Sequence, residues 1–229
     1  MGKAVLTGAL FAVVVAAAIG LGGYAYVRSL TGAHDLKTGD RVALIFESPA
    51  QDGAMSATLI STVDDTRMLD VSPETTVSVP GSSYTHLADA FVFGGGGSVV
   101  SALGAGAGGS PKAFVSVPMA TWRAAVEATR GVSVQIPEEV SVFDGTRLTT
   151  IRSGEQTLTA DQVSALLRGL PYVTPANRVG LRLALEQQLA AVVATGRPTA
   201  AQVDSDLSSS AVELWLREHL ARVAKPQVG

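Results

Sequence analysis

The chain of 229 residues has no cysteine, which excludes disulfides, thiolate catalysis and cysteine-bound zinc. Histidine occurs only at His34, His86 and His219, too scattered to mark a histidine metal site, and no residue is assigned as a metal ligand. Aromatic residues make up 5% of the chain, so aliphatic side chains must build the core. Charge is sparse as well: 16% of residues are charged, with a formal net charge of −3. That balance lacks the basic surplus of nucleic-acid-binding domains, and no nucleic-acid partner is expected. The length suits one domain with an appendage rather than two full domains.

What is present begins with an apolar run. Residues 4–27, "AVLTGALFAVVVAAAIGLGGYAYV", carry no charge and are long enough to cross a bilayer, which takes roughly 20 apolar residues. Lys3 precedes the run, while Tyr24, Tyr26 and Arg28 stand at its far end as interfacial anchors. Residues 1–29 therefore read as an N-terminal transmembrane anchor; the rival reading is a signal segment, whose apolar region is normally shorter. In either case residues 30–229 are expected on the extracytoplasmic side of the cell membrane, as one domain.

Within that domain the pattern alternates between strands and helices. Segments 40–48, 56–65 and 113–118 are apolar and β-branched and predict strands. Residues 66–81 read as a further strand followed by an extended segment. Residues 84–109 have helical spacing on both sides of a glycine run, which lacks the lysine of a phosphate loop. An amphipathic helix is predicted over 119–131, stopped by Gly131, with Trp122 in the core. Residues 132–159 predict strands and a turn at Asp144-Gly145. Thr159 followed by Gln162 is a capping-box signature opening a helix. A second helix is predicted over 175–195 and a third over 199–223, anchored by Trp215. Strands interleaved with helices imply an α/β fold, a layered central sheet flanked by helices.

Three arginines, Arg168, Arg178 and Arg182, recur in the helical stretches that otherwise carry aliphatic residues. Around them stand "HLADAFVFGG" (86–95), "AFVSVPMATWRAAVEATRGVSVQIP" (113–137), "GEQTLTADQVSALLR" (154–168), "NRVGLRLALEQQL" (177–189) and "VDSDLSSSAVELWL" (203–216). In this order, from about Arg41 to Leu220, the segments resemble the LytR-CpsA-Psr family, whose extracytoplasmic enzymes transfer lipid-linked glycopolymers onto peptidoglycan. The resemblance implies a polyprenyl-linked glycopolymer or polyprenyl phosphate as ligand, peptidoglycan as acceptor, the membrane as setting, and magnesium where the enzyme is active. It also implies that Arg168 and Arg178 face the substrate pyrophosphate, a task suited to the planar, permanently charged guanidinium fork. The family's next arginine falls at Leu181, so Arg182 is placed in the same site only if the helix phase allows it. Helix-surface positions are the simpler reading for all three.

The departures are as informative. Where the family carries "RSDT", with an aspartate tied to magnesium, this chain has "MSAT", putting Met55 and Ala57 at the charged positions. The family's "IPRDT" becomes "SPETT", so Glu74 replaces the arginine and Thr75 the aspartate; His86 and Ala88 replace its lysine and asparagine. Asp64, Asp65 and Asp89 are the other candidates for a metal, read more simply as turn residues or caps. Three functions follow as alternatives. The favoured one is a membrane-anchored member of glycopolymer attachment that binds a polyprenyl-(pyro)phosphate lipid with impaired catalysis. The others are an active phosphotransferase and an anchored, non-enzymatic scaffold domain.

Overall fold

The computed structural model describes residues 36–223, apart from positions 38, 50–54, 66, 80, 105–109 and 144. The anchor assigned to residues 1–29 and Asp144 of the expected turn lie outside the described residues. All those described belong to the unit Asp35–Gly229.

The sheet is organised by strand β1 (Val42–Pro49). Its residues are apolar at successive positions because both faces are covered: Val42, Leu44 and Phe46 enter one core cluster, and Ala43 and Ile45 enter the other. A strand buried on both faces has to read as a continuous apolar run. Strand β2 (Met55–Val63) lies antiparallel to β1, and β3 (Met68–Val71) antiparallel to β2. On the other side of β1, β4 (Ala113–Val117) runs parallel to it. The β1–β2 register shifts between Phe46 and Glu47, so that Phe46 faces Leu59 while Glu47 faces Ala57. The additional residue, Thr58, forms a bulge, a device that bends a strand and re-aims its side chains.

One face of the sheet is covered by α1 (Leu87–Gly104), which is kinked at Gly94 and Gly95. Gly95 has φ +65 and ψ −157, a backbone state essentially restricted to glycine. A Cβ on Gly96 would lie 2.1 Å from the Phe114 ring on β4. The glycine run thus serves a kink and a close helix–sheet approach. This helix is long and apolar enough to cross a membrane by composition, but its buried residues Leu87, Ala90, Val99 and Ala102 pack on the sheet.

The other face carries α2 (Met119–Ala128), α3 (Ala160–Gly169) and α4 (Pro175–Gly196). Trp122 of α2 is fully buried, and its indole N–H donates to the Glu47 carbonyl at 2.7 Å. Helix α2 stops at Ala128, and Arg130 as well as Gly131 takes a positive φ. Helix α3 opens with the expected capping box of Thr159 and Gln162. Its last residue, Gly169, presses against Val140 and Val142, where a Cβ would meet their methyls at 2.6–2.7 Å. Two antiparallel ribbons complete this side. Strands β5 (Val132–Ile136) and β8 (Gly154–Leu158) form one, and β6 (Val140–Phe143) and β7 (Leu148–Ile151) form the other.

The single helix expected over 199–223 is corrected. The segment is a 3-10 turn (Ala200–Gln202), an edge strand β9 (Asp204–Ser205), helix α5 (Ser209–Leu214), a π-helical turn (Trp215–Leu220) and a final turn α6 (Ala221–Val223). Asp206 accepts a hydrogen bond from the Phe114 amide at 2.9 Å, and the Ser205 hydroxyl donates to the Phe114 carbonyl at 2.6 Å. These short side chains satisfy the edge of β4 instead of continuing a helix. Strand β9 thereby completes a five-stranded sheet of order β3-β2-β1-β4-β9. The expected α/β fold, a central sheet with helices on both faces, is the one observed, and Trp215, the first residue of the π-turn, is buried.

Candidate functional site

A cavity of about 230 Å³ opens between the start of β2, the segment after β3, and the junction of α3 and α4. Its wall is mostly apolar and includes Pro49, Ala57, Ala88, Leu167, Leu170 and Pro171. Set into this wall are Arg168, Arg178 and Arg182, the three arginines singled out in the sequence. Arg168 ends α3, and Arg178 lies in the first turn of α4. Arg182 follows four residues later, on the same helix face as Arg178. The phase of α4 is now defined: Leu181 is buried in the core, while Arg182 lines the cavity.

The three guanidinium groups differ in how they are engaged. The Arg168 Nε is buried with no hydrogen-bond partner, and no acid pairs with this residue among the described residues. An orphaned charged donor in a cavity wall is costly unless a ligand completes it. Arg178 instead ties down the chain between the helices: its Nη2 donates to the Pro171 carbonyl at 2.8 Å and to that of Val173 at 3.1 Å, and its Nε to Val173 at 3.3 Å. Its Nη1 makes no hydrogen bond and lies 3.9 Å from the Glu74 carboxylate. Glu138 steadies the same junction by accepting from the Thr174 amide at 2.5 Å and the Asn177 amide group at 3.0 Å. The Thr174 amide is the main reason that the Glu138 carboxyl is held below its ordinary value.

Arg182 is 7% exposed and held as a fork. Its Nε and Nη2 donate to the two carboxylate oxygens of Asp70, at 2.7 and 2.5 Å, and its Nη1 to the Ser72 hydroxyl at 3.3 Å. One turn further along α4, Glu186 is fully buried and accepts from the Ser61 hydroxyl at 2.5 Å, while its second oxygen has no partner. Burial first, and then the negative charge of Asp70, push the Glu186 carboxyl well above the usual carboxylate range. A carboxylate only accepts, whereas a protonated carboxyl also donates. The shift favours the protonated form of Glu186, and the acid bonded to the Arg182 fork is Asp70.

The sequence reading missed Asp70, Glu186 and Ser61. One signal was available: Glu186 follows the core residue Leu185 and lies four residues from Arg182, a charge at the border of the apolar stripe. Among the substituted positions, Ala57 and Glu74 line the cavity, and Met55 is exposed on β2. His86 pairs with Asp89 at 3.3 Å beside Ala88, at the start of α1. Asp64 and Asp65 sit beyond the opposite end of β2 from the cavity, where Asp64 pairs with Arg41 and Arg67, and Asp65 pairs with His219. No group of three or more His, Asp or Glu side chains that could hold a metal forms among the described residues. The cavity itself offers one carboxylate, Glu74, which is exposed and turned toward Arg178. Magnesium needs near-octahedral oxygen ligands including a carboxylate or two, and three arginines around one acid do not fit it.

Residues 35–169 match the model of the LytR_cpsA_psr family. No curated protein matches the chain. Among solved structures, B. subtilis TagT is 14% identical, with a TM-score of 0.59 and coverage of 84% of this chain and 79% of that one. A structure of TagT bound to LI-WTA gives 14% identity and a TM-score of 0.57, covering 85% and 80%. Protein gbs0355 from Streptococcus agalactiae gives 11% identity and a TM-score of 0.60, covering 81% and 75%. At these identities the likeness is one of fold. The family model, in contrast, spans more than half of the sequence, and the chain belongs to the LytR-CpsA-Psr family.

Proposed function

We propose that this chain works in cell-envelope glycopolymer attachment as a binder of a polyprenyl-(pyro)phosphate lipid, anchored to the extracytoplasmic face of the membrane, with impaired catalysis. The observation that carries the reading is the Arg168 guanidinium, its Nε unpartnered in the wall of an otherwise apolar cavity beside Arg178 and Arg182. An apolar tail with an anionic head is the ligand whose two ends match such a wall. Arg168 supplies unpaired guanidinium donors, Arg178 rigidifies the α3–α4 junction and offers its Nη1, and the apolar wall receives the hydrocarbon.

The reading of impaired catalysis is supported by what lines the same cavity. Phosphoryl transfer relies on cations placed around the leaving phosphates. Here Ala57 supplies no ligand, Glu74 places negative charge near the rim, and Arg182 spends its charge on Asp70. The residues that line the cavity do not fit magnesium.

The test is a calorimetric titration of the full chain in detergent with polyprenyl phosphate and polyprenyl diphosphate, with and without magnesium, beside the Arg168→Ala/Arg178→Ala double variant. Saturable binding by the wild type, lost in the double variant and indifferent to magnesium, is expected. Magnesium-dependent transfer of a lipid-linked glycan to peptidoglycan would restore the active phosphotransferase. Absence of binding would leave the fold with a scaffolding role.

A further inference from the structure

The donors that remain free in the cavity limit how much negative charge it can receive. Arg182 has its Nε and Nη2 on Asp70 and its Nη1 on Ser72. Arg178 has its Nε and Nη2 on the carbonyls of Pro171 and Val173. The guanidinium nitrogens that make no hydrogen bond are those of Arg168, whose Nε is buried without a partner, and the Nη1 of Arg178. These two side chains come from α3 and α4 and line one cavity, an arrangement suited to two oxygens of one tetrahedral group.

Charge leads to the same limit. The three arginines are balanced by two carboxylates: Asp70 on Arg182, and Glu74, which is 72% exposed at the side chain and 3.9 Å from Arg178. Against these two carboxylates, the three arginines leave at most one unit of positive charge for a ligand. A second phosphoryl group adds further negative charge, and to be met by Arg182 it would have to displace Asp70 from a buried bidentate pair. Removing one partner from such a pair is strongly unfavourable.

We infer that the site selects ligands bearing a single phosphate group over diphosphates, and that Asp70 and Glu74 are the residues that set this preference. The inference rests on the reading of the cavity as a phosphate-lipid site and narrows it to a monophosphoryl headgroup. Asp70 acts through Arg182 as a positioning residue: it occupies the fork that a second phosphoryl group would need. Glu74 acts directly, by repelling charge that extends toward the rim.

The experiment compares geranyl phosphate, geranyl diphosphate and inorganic phosphate by calorimetric titration of the full chain in detergent micelles. The wild type is expected to bind geranyl phosphate about tenfold or more tightly than geranyl diphosphate, the scale of one unit of charge at close range in a partly solvated site. Glu74→Gln, at an exposed position that leaves the core intact, should narrow that ratio by about tenfold. The Asp70→Asn/Glu186→Gln double variant frees the Arg182 fork and should narrow it in the same direction. A wild type that prefers the diphosphate, or a ratio unmoved by Glu74→Gln, overturns the inference while leaving a phosphate-lipid site in place. Failure of both prenyl ligands to bind overturns the underlying reading as well. Inorganic phosphate binding as tightly as geranyl phosphate supports the single-phosphate preference and assigns the ligand to free phosphate rather than a lipid.

Discussion

Asp70 is the residue whose removal separates the electrostatic account from a purely steric one. Arg182 is buried, and its fork ends on Asp70 at 2.7 and 2.5 Å. Deleting one partner of a buried ion pair ordinarily costs about 3–5 kcal/mol, because the remaining charge is left uncompensated. Here a second acid stands one helical turn away. Glu186 is pushed toward its protonated form by burial and by Asp70. In Asp70→Ala the second of these causes vanishes, Glu186 releases its proton more readily, and its carboxylate takes over the neutralisation of Arg182. The single variant should therefore cost about 2 kcal/mol, below the usual range for a broken buried pair. Glu186→Gln alone should change stability by no more than about 1 kcal/mol, since an amide replaces a neutral carboxyl. The double variant, with no acid left, should cost about 4 kcal/mol or more, exceeding the sum of the singles by about 1 kcal/mol or more. Urea unfolding followed through Trp122 and Trp215, both buried, measures all four corners of the cycle. A double variant equal to the sum of the two singles would refute the substitution of one acid for the other.

The same network sets a pH dependence. Because the folded chain holds the Glu186 proton more tightly than the unfolded chain, the stability linked to this group is complete below the ordinary carboxylate value of 4.5 and declines as pH rises toward the raised value. Glu186→Gln should flatten that decline, gaining on the wild type between acidic and neutral pH in paired unfolding curves; an unchanged slope would contradict the assignment. Gly96→Ala forces a Cβ to within 2.1 Å of the Phe114 ring and should destabilise by about 1–3 kcal/mol through overpacking, read as a lowered urea midpoint. Thr159→Ala removes the hydroxyl that accepts from the Gln162 amide at 3.4 Å and should cost about 1 kcal/mol. Ligand affinity should change little in that variant, because the cap lies at the far end of α3 from Arg168.

The fold was legible where a local pattern met a local rule. The continuous apolar run of β1 reflects coverage on both faces, and Thr159 with Gln162 caps α3 through backbone groups three residues apart. The grouping of Arg168, Arg178 and Arg182 could be anticipated from family resemblance and helical spacing. Whether Leu181 or Arg182 faced the cavity depended on the rotation of α4 about its own axis, which packing against the sheet decides. Asp70 lies 112 residues from Arg182, and no pattern within either segment pairs them. The C-terminal region misled for a related reason. One helix was expected over 199–223, and Ser208 does cap α5, yet Ser205 and Asp206 bond across to Phe114, some ninety residues earlier. In both cases the deciding interaction is tertiary.

On the proposed reading of impaired catalysis, the buried acids account for a cavity that carries three arginines yet is poorly equipped for transfer. A cation assists a departing phosphate when it is free to strengthen its contact as charge develops. Arg182 is already matched by Asp70, so a growing charge in the cavity gains little from it, and Arg178 spends two of its three nitrogens on the backbone that joins α3 to α4. Arg168 alone keeps its charge for the ligand, and a single cation stabilises a bound phosphate in its resting state. On this reading the arrangement is organised for retention. Restoring transfer would require freeing the Arg182 fork, reversing the charge at Glu74 and placing a carboxylate at Ala57 together, since each alone leaves the departing phosphate short of partners.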